Sequence, residues 1–361
     1  MASATNHPKT VASRVPPNDR LGRPLGVLRL SLTARCNLAC PYCLPDGKEP
    51  PGLLTLKQRL GVIGAAVNLG ARSLRLTGGE PLLHGGLEEL IAAVQPLRAT
   101  YPERPGLGEI ALTSNGLLLT AERAQQLRAA GLDRITLSLD GTTARSVAHM
   151  AGLADAAAGE RALAAVLAAI EHARAAGFDP ARGALKLNAV IQRGANDDQV
   201  LPLAALARER GLELRLIEFM DVGSRNGWQY EAVLSAAKML EQIGSSWPLE
   251  PLGRTAHGTA SRWRYRDGGG SLAVVASVSA PFCGDCNRLR VTADGVAYTC
   301  LFAAPGSGLD LKPWLKEESD AAELELAMAA LWNQRSDRYS EERNTAKSAN
   351  STHAEMAYLG G

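Results

Sequence analysis

Six cysteines are the residues of this sequence whose type and spacing indicate chemistry. They form two widely separated triplets, Cys36, Cys40 and Cys43, and Cys283, Cys286 and Cys300. Thiolates this close together are typical of soft-metal sites, whereas disulfide frameworks belong mostly to small secreted domains that lack a core. Each triplet falls one ligand short of a closed zinc site, and none of the six histidines is spaced as a fourth ligand. A four-iron cluster held by three thiolates leaves one iron open to another ligand, so two iron–sulfur clusters are favoured, with zinc as the alternative.

The composition excludes several function classes. The chain has 361 residues, of which 46% are hydrophobic, which is more than one typical domain of about 100–150 residues and enough for a sizeable core. Lys and Arg number 39 against 37 Asp and Glu, and this near-balance predicts no nucleic-acid or membrane partner. No apolar run is long enough for a transmembrane helix, and residues 1–20 lack the apolar stretch of a secretion signal. We therefore expect a cytoplasmic protein with a disordered N-terminal arm over residues 1–20.

Short apolar strands alternate with helical segments between residues 27 and 220. The predicted strands are 27–33, 73–77, 109–114, 134–140, 185–192 and 213–219. The predicted helices are 55–68, 87–97, 121–130, 160–175 and 197–210, and the first begins with a possible capping box of Thr55 and Gln58. Such alternation predicts parallel strands joined by right-handed crossovers, in a doubly wound sheet or a barrel.

The two faces of these strands differ in polarity. In the first strand, positions 28, 30 and 32 are leucines, whereas Arg29, Ser31 and Thr33 share the other face. Later strands repeat the pattern, although strands covered by helices on both faces would be apolar throughout. One face is therefore expected to line a polar cavity. The sequence predicts an α/β fold, with an incomplete, TIM-like (β/α)6 barrel over residues 21–223 that has an open side.

The alternation ends after Met220. A segment rich in Gly, Ser and Pro precedes the second cysteine triplet, and a helical stretch near residues 321–332 follows it. We expect residues 224–343 to form a smaller α+β domain that carries the second triplet and closes the open side of the barrel. Residues 344–361 are expected to be a tail that ends in Gly-Gly.

Several segments resemble one subfamily of the radical S-adenosylmethionine (SAM) superfamily. They are RLSLTARCNLACPYCLP (29–45), RLTGGEPLL (75–83), LTSNG (112–116), RLIEFMDVG (215–223), SVSAPFCGDCNRLRVTADGVAYTCLF (277–302) and the terminal MAYLGG. The C-x3-C-x2-C spacing of the first triplet indicates the superfamily. The second triplet, the two arginines behind it and the Gly-Gly end indicate the subfamily. From about Leu21 onward the chain is similar to the GTP 3′,8-cyclases, which begin molybdenum cofactor biosynthesis.

The resemblance implies that Cys36, Cys40 and Cys43 hold a 4Fe-4S cluster that binds SAM. The residues implied to contact SAM are Tyr42, Gly79, Glu80, Ser138 and Met220. Glu80 would accept a hydrogen bond from the methionyl ammonium, and the glycines before it allow close approach of the backbone. Considered without the family, Tyr42 could equally be a packed ring and Met220 a core residue.

The resemblance also implies that Cys283, Cys286 and Cys300 hold a second 4Fe-4S cluster, whose open iron binds the guanine of GTP. The residues implied to bind GTP are Arg29, Arg75, Thr113, Lys186, Arg215, Arg288, Leu289 and Arg290. Those implied to be catalytic are Arg288, Arg290, Gly360 and Gly361. Arg288 and Arg290 point the same way on an extended chain, and arginine forks suit phosphate oxygens. A deoxyadenosyl radical would remove the ribose 3′ hydrogen, and the carbon radical would attack guanine C8 to give 3′,8-cyclo-7,8-dihydro-GTP.

The implied partners are GTP, an electron donor such as a flavodoxin or ferredoxin, and a downstream cyclic pyranopterin monophosphate synthase, and a homodimer is a further expectation. Two alternatives stay open: another two-cluster radical SAM enzyme that modifies a peptide or other small molecule, or a zinc-binding protein without enzymatic activity. Ser73 and His84-Gly85-Gly86 stand where family members often carry basic residues. The Ala-rich segment 151–169 is expected to be a loop insertion.

Overall fold

The computed structural model describes residues 16–45, 47–100, 106–343 and 352–361. Residues 1–15 of the predicted N-terminal arm and residues 344–351 of the predicted tail lie outside these ranges. The end of the predicted arm is part of the fold, because the side chain of Asp19 is fully buried and pairs with Arg23.

One sheet contains all twelve strands of the described residues. In chain order they are β1 (Val27–Ser31), β2 (Ser73–Thr77), β3 (Glu109–Ser114), β4 (Arg134–Ser138), β5 (Leu185–Ile191), β6 (Glu213–Glu218), β7 (Leu249–Arg254), β8 (Ser261–Tyr265), β9 (Ser271–Val275), β10 (Arg288–Val291), β11 (Val296–Tyr298) and β12 (Leu309–Asp310). Their order across the sheet is β12-β11-β10-β1-β2-β3-β4-β5-β6-β9-β8-β7. The strands from β10 to β9 are parallel, and the pairs beyond them are antiparallel.

The helices of the described residues are α1 (Leu56–Asn68), α2 (Leu87–Ala93), α3 (Ala121–Ala129), α4 (Ala144–Met150), α5 (Ala156–Ala175), α6 (Val200–Glu209), α7 (Ala236–Ser246), α8 (Ala321–Asn333), α9 (Tyr339–Glu342) and α10 (Met356–Leu359). Short 3-10 helices span Pro81–Leu83, Gln95–Arg98, Pro180–Arg182, Asp197–Gln199, Tyr230–Ala232, Cys283–Asp285 and Lys312–Trp314. The predicted capping box of α1 is confirmed, because the Thr55 hydroxyl accepts the N–H of Gln58 and the Gln58 side chain accepts the N–H of Thr55. Within the described ranges, no helix combines the length and apolar character needed to cross a membrane.

The six predicted strands are confirmed as β1 to β6, which lie side by side in chain order. Sequence patterns missed two parallel neighbours, since β10 pairs with β1 and β9 pairs with β6. The part of the chain that carries the second triplet therefore extends the same sheet at both edges. The leucines of β1 and β2 pack in the core, as their alternation predicts.

The prediction of a loop insertion over residues 151–169 was wrong, because most of this segment belongs to α5. The Asp155 side chain caps the helix by accepting the N–H of Ala158 (2.7 Å), and alanine is the strongest helix former. Gly159 lets α5 press against α4, since a Cβ there would lie 1.9 Å from the carbonyl oxygen of Ala144. The predicted helix over residues 160–175 is confirmed as part of α5, which begins four residues earlier, at Ala156.

Candidate active site

Two adjoining cavities lie on the polar face of the parallel strands. The first-triplet cavity, about 160 Å³, is lined by Cys36, Cys40 and Cys43 and by the turn of residues 77–80. The second-triplet cavity, about 340 Å³, is lined by Cys283, Cys286 and Cys300 and by several arginines. The residues that line both cavities are Tyr42, Thr113, Ser138, Asp140, Met356 and Gly361. Triplets that are far apart in sequence therefore face neighbouring spaces with a common wall.

The first triplet lies in the loop that follows β1. The N–H groups of Cys43 and Leu44 both donate to the carbonyl of Cys40 (2.9 Å each). Burial raises the pKa of all three thiols, that of Cys43 to about 12, and neighbouring thiolates act in the same direction on Cys40 and Cys43. Thiolates crowded in this way are disfavoured alone and are stabilised by a bound metal group.

The second triplet lies on either side of strands β10 and β11 along the chain. Cys283 begins the 3-10 helix Cys283–Asp285, Cys286 precedes β10, and Cys300 follows β11. Burial alone would raise the pKa of Cys286, but the charges of Arg288 and Arg335 lower it to about 7. Burial raises the pKa of Cys300 to about 12.

The donor chemistry of both triplets fits a 4Fe-4S cluster. All six cysteines are free thiols, and each set of three faces a cavity. Among the described residues, no three His, Cys, Asp or Glu side chains are arranged to hold a single metal ion. A 4Fe-4S cluster binds each thiolate through a different iron, so its ligands stand farther apart than those of one ion.

Most of the predicted GTP-binding residues face the second-triplet cavity. Those that line it are Arg29 of β1, Arg75 of β2, Thr113 of β3, Arg215 of β6, and Arg288 and Arg290 of β10. Two residues predicted to bind GTP, Lys186 and Leu289, do not line this cavity. The ammonium of Lys186 binds Glu213 (2.7 Å), and the Leu289 side chain is fully buried in the core. Leu289 could therefore reach a ligand only through its backbone.

Two carboxylates that the sequence analysis missed partner these cations. Glu109 at the start of β3 binds Arg134 (2.8 Å) and lies 3.7 Å from Arg75. The hydroxyl of Ser73, at a position where a basic residue was expected, donates to the same carboxylate (3.0 Å). Strand register brings these groups together, because Ser73 and Glu109 are cross-strand neighbours.

Glu213 at the start of β6 has the same role on the other side of the cavity. Its carboxylate binds Lys186 (2.7 Å), Arg215 (3.0 Å) and Arg262 (3.0 Å). Lys186 and Glu213 are also cross-strand partners. Three of the cations that look unpaired in the sequence, Arg75, Lys186 and Arg215, thus have carboxylate partners, and only knowledge of the register could have shown this.

Positive charge still exceeds negative charge around the second-triplet cavity. Burial and neighbouring arginines lower the pKa of Lys186 to about 8 and that of Arg75 to about 9, although each has a carboxylate partner. Burial and the charge of Arg288 lower the pKa of Arg290 to about 10. Burial is the main cause of these lowered pKa values and the neighbouring arginines add to it, so a bound anion would favour the charged forms of these side chains.

Replacing Glu213 by Gln is expected to lower the free energy of unfolding at neutral pH. The free energy of unfolding of the variant should also change less with acid than that of the wild type. Burial alone would raise the pKa of Glu213, but the charges of Arg215 and Lys186 lower it from 4.5 to about 2. The carboxylate therefore stabilises the folded state above pH 4.5, and this contribution is lost as the pH falls toward 2. At neutral pH the variant should lose about 3 kcal/mol of unfolding free energy, because buried cations lose their partner.

Urea unfolding at several pH values from neutrality down through 4.5 toward 2 measures this effect. The difference between wild type and Glu213→Gln should shrink as the pH falls, since the wild-type carboxylate becomes protonated. Glu241→Gln is the matched control, because Glu241 pairs with Lys238 on an exposed helix surface. Parallel curves for wild type and Glu213→Gln across the whole range would contradict the role given to this carboxylate.

The glycines of the turn after β2 pack against the chain that leads into the first triplet. A Cβ on Gly78 would lie 2.3 Å from the carbonyl oxygen of Thr33, and one on Gly79 would lie 2.2 Å from that of Arg35. The N–H groups of Gly79 and Glu80 donate to these two carbonyls (2.9 and 2.8 Å). The close backbone approach expected of these glycines thus occurs within the protein and orients the cysteine loop.

Glu80 is bound within the protein while lining the first-triplet cavity. Its carboxylate accepts the N–H of Leu82 (2.9 Å), the hydroxyl of Ser114 (2.8 Å) and the N–H of Asn115 (2.8 Å). Burial raises its pKa. Of the other residues predicted to contact SAM, Tyr42, Gly79 and Ser138 line this cavity, whereas Met220 lines the second-triplet cavity.

Asp140 in the shared wall was not anticipated from the sequence. It accepts the hydroxyl of Tyr42 (2.6 Å) and the N–H of Val190 (2.8 Å). Burial raises the pKa of Asp140 to about 6. The pair fixes the Tyr42 ring between the two cavities. The signal for this residue was its place two positions after Ser138 on the same strand face.

His84 lies at a position where a basic residue was expected, and its ring forms hydrogen bonds within the fold. Its ring contacts the guanidinium of Arg59 and accepts the N–H of Gly86 (3.1 Å). Burial, followed by the charge of Arg59, lowers the pKa of His84. Arg59 in turn donates to the carbonyl of Leu32 (3.1 Å), so this turn braces the end of the first strand.

The Gly-Gly end of the tail reaches into the site. Arg29 donates to the carbonyls of Gly360 and Gly361 (2.9 Å each), and Arg290 donates to that of Gly360 (3.0 Å). Gly360 has a φ of +67°, and a Cβ there would lie 2.4 Å from the hydroxyl oxygen of Thr77. The left-handed backbone and the close approach to Thr77 therefore favour glycine at position 360.

The tail is anchored before it reaches the cavities. Glu355 binds Arg225 (3.1 Å) and accepts the N–H of Ser224 (3.1 Å). The hydroxyl of Ser224 donates to the carbonyl of His353 (3.0 Å). These contacts join residues 353–355 to the loop after β6.

The chain is similar to known proteins over nearly its whole length. Residues 30–207 match the family model of the radical SAM superfamily, and residues 212–341 match that of Molybdenum Cofactor Synthesis C. A GTP 3′,8-cyclase of Synechococcus sp. (strain CC9605) is 62% identical over 353 residues, which cover 97% of this chain and 100% of that protein. A GTP 3′,8-cyclase of Acidothermus cellulolyticus is 42% identical over 379 residues, which cover 96% and 99%.

Solved structures share the fold at much lower identity. Streptococcus suis SuiB bound to the precursor peptide SuiA has a TM-score of 0.60 and 13% identity, covering 90% of this chain and 68% of that chain. Native anSMEcpe with bound AdoMet and Cp18Cys peptide has a TM-score of 0.51 and 15% identity, covering 93% and 94%. These similarities establish an α/β fold with a large sheet.

Proposed function

The chain belongs to the GTP 3′,8-cyclase family of the radical SAM superfamily, and from this premise we propose a role for each residue of the site. It is an enzyme that uses SAM and two 4Fe-4S clusters to convert GTP into 3′,8-cyclo-7,8-dihydro-GTP, the first step of molybdenum cofactor biosynthesis. The observation that carries this function is the pair of cavities, each with its own cysteine triplet, that share one wall.

Cys36, Cys40 and Cys43 would hold the cluster to which SAM binds. When bound, the cluster and SAM supply a 5′-deoxyadenosyl radical, chemistry that no side chain performs. The residues of the chain bind and orient: Glu80 retains lone pairs for the methionyl ammonium, and Ser138 and the backbone at Gly79 line the same space. Met220 would reach SAM only across the shared wall, from the second-triplet cavity.

The arginines of the second-triplet cavity would bind the triphosphate of GTP, and Cys283, Cys286 and Cys300 would hold the cluster that binds its base. Arg288 lies over the ring of Phe282 (5.4 Å) and has no carboxylate partner among the described residues, which leaves its fork open to phosphate oxygens. The surplus of positive charge around Arg75, Lys186 and Arg290 favours a polyanion. Lys186 would act by sharing Glu213 with Arg215, rather than by touching GTP.

The shared wall would enclose the ribose between the base and the triphosphate. Thr113 and the Tyr42–Asp140 pair line both cavities, so they would limit how the ribose sits relative to SAM. Gly361 lines the same wall, and the Gly360 carbonyl orients Arg29 and Arg290. We assign the catalytic positioning of GTP to Arg288, Arg290, Gly360 and Gly361.

We also propose the finer architecture and the partners. Residues 21–223 would form the incomplete (β/α)6 barrel, residues 224–343 the C-terminal α+β domain with the second cluster, and residues 344–361 the tail. Polar residues of β1, β2, β3 and β6 that line one cavity support a curved sheet. A flavodoxin or ferredoxin would supply electrons, a cyclic pyranopterin monophosphate synthase would take the product, and the enzyme would act in the cytoplasm as a homodimer.

Incubation of the anaerobically reconstituted protein with GTP, SAM and a reductant tests the function. We expect about eight irons per chain and equal amounts of 5′-deoxyadenosine and cyclised nucleotide. Zinc without iron would support the zinc-binding alternative. Formation of 5′-deoxyadenosine only with a peptide or another non-nucleotide substrate would support the alternative enzyme and contradict GTP cyclisation.

A further inference from the structure

Two buried arginines from opposite ends of the chain lie behind the second cysteine triplet. Arg23 donates to the carbonyl of Cys283 (2.6 Å), and Arg335 donates to the carbonyl of Cys286 (2.6 Å). The two residues are 2% and 4% exposed, so water does not compete for these bonds. Neither arginine has a role in the function proposed above, and both contact the residues expected to bind the cluster.

A buried carboxylate joins the two arginines. Asp19 pairs with Nε of Arg23 and lies 3.3 Å from Nη1 of Arg335. Arg23 also donates to the carbonyl of Asp337 (2.9 Å), and Nε of Arg335 lies 3.4 Å from the carboxylate of Asp337. The indole of Trp332 packs under Arg335 at 4.7 Å. The guanidinium of Arg335 is therefore held in one place from several sides.

The position of Arg335 gives it two actions on the second triplet. Its hydrogen bond to a backbone carbonyl limits movement of the loop from Cys283 to Cys286. Arg335 also lines the second-triplet cavity together with the cysteines, so its charge faces the space that the cluster would fill. Arginine suits both actions, because its planar fork reaches two acceptors at once and stays ionised.

We propose that Arg335, held by Asp19, which Arg23 also binds, is a positioning residue that fixes the Cys283–Cys286 loop and places a permanent positive charge beside the second cluster. The inference rests on the proposed function, which supplies that cluster. Groups that support metal ligands control metal affinity. A nearby positive charge stabilises the reduced cluster, which carries more negative charge, and so raises its reduction potential.

Two substitutions separate the charge from the hydrogen bonds. Arg335→Gln removes both, whereas Arg335→Lys keeps the charge but cannot reach the carbonyl and the carboxylate at once. We expect Arg335→Gln to lose iron from the second cluster, to lower the midpoint potential of the clusters that remain there, and to raise KM for GTP about tenfold or more. KM for SAM should stay within about twofold, because the first triplet is untouched. Arg335→Lys should restore the potential but not the full iron content.

The measurements use the full chain after anaerobic reconstitution. Iron per chain, a potentiometric titration followed by electron paramagnetic resonance, and separate KM values for GTP and SAM give the readouts. Arg98→Gln is the matched control, because Arg98 also donates to a backbone carbonyl and pairs with Asp133 (2.6 Å) but lines neither cavity. It should leave all readouts unchanged.

Wild-type iron content together with a wild-type potential of the second cluster in Arg335→Gln would overturn the proposal. Equal loss of iron from both clusters would also overturn it, since that result indicates a general folding defect. If Arg335→Gln does not fold, an Arg335→Lys variant that retains both clusters in full would overturn it. A wild-type protein that lacks a second cluster, or that makes no cyclised nucleotide, would instead contradict the proposed function, so the two failures are distinguishable.

Discussion

Replacement of Cys36 by alanine is expected to abolish both SAM cleavage and GTP cyclisation, whereas replacement of Cys300 should abolish cyclisation alone. The two cysteines line different cavities, so each substitution removes a ligand from one cluster only. Loss of one member of a catalytic unit costs factors of about 10⁴ or more, and we expect a loss of that size for Cys36→Ala. In Cys300→Ala, slow reductant-driven cleavage of SAM without GTP should continue.

Quantifying 5′-deoxyadenosine and cyclised nucleotide with and without GTP checks this expectation. The two variants are matched controls for each other, since each should lose iron from one cluster and keep the other. A Cys36→Ala enzyme that still forms 5′-deoxyadenosine would contradict the role of the first triplet. A Cys300→Ala enzyme that still cyclises GTP would contradict the role of the second.

Addition of one methyl group at Gly360 is expected to lower kcat/KM for GTP about a hundredfold, the size of effect that follows a displacement of about 1 Å in an active site. Its φ of +67° disfavours a side chain, and a Cβ would lie 2.4 Å from the hydroxyl of Thr77 and 2.5 Å from that of Ser31. The tail must shift in Gly360→Ala, and its carbonyl would no longer orient Arg29 and Arg290.

Gly306→Ala separates this effect from ordinary backbone strain. Gly306 has a similar φ of +73°, but a Cβ there would meet no atom within 4 Å. Steady-state kinetics should show little change for Gly306→Ala and a large loss for Gly360→Ala, with both clusters retained in each variant. Equal kinetics for the two variants would mean that the position of the tail does not matter for catalysis.

The local features of the fold were predictable because they depend on short stretches of chain. β1 to β6, the capping box at Thr55 and the alternation of polar and apolar faces follow from residues within a few positions of one another. β9 and β10 were not predicted, because their pairing with β6 and β1 joins distant parts of the chain. Most of α5 was predicted as the helix over residues 160–175, but its first turn was assigned to a loop insertion, since the surface on which this Ala-rich turn packs belongs to other elements.

The candidate site shows the same division between short-range and long-range information. The cysteine spacing, the arginines of the polar strand faces and the terminal glycines were identified from the sequence and its resemblance to a family. The carboxylates that hold the cations were not, because Glu109 and Glu213 meet them only through strand register. Alternation along β10 turns the Leu289 side chain into the core, so its predicted contact with GTP stays a prediction for its backbone.

By itself, the sequence determined which residues are available for the chemistry: two thiol triplets and a set of arginines on one strand face, recognisable because spacing and strand periodicity are local. Tertiary structure alone decided that the two triplets face cavities with a common wall, and that Arg23 and Arg335 meet behind the second triplet through Asp19. These contacts join residues hundreds of positions apart. Folding brings them together through the packing of the whole sheet, which no short stretch of sequence encodes.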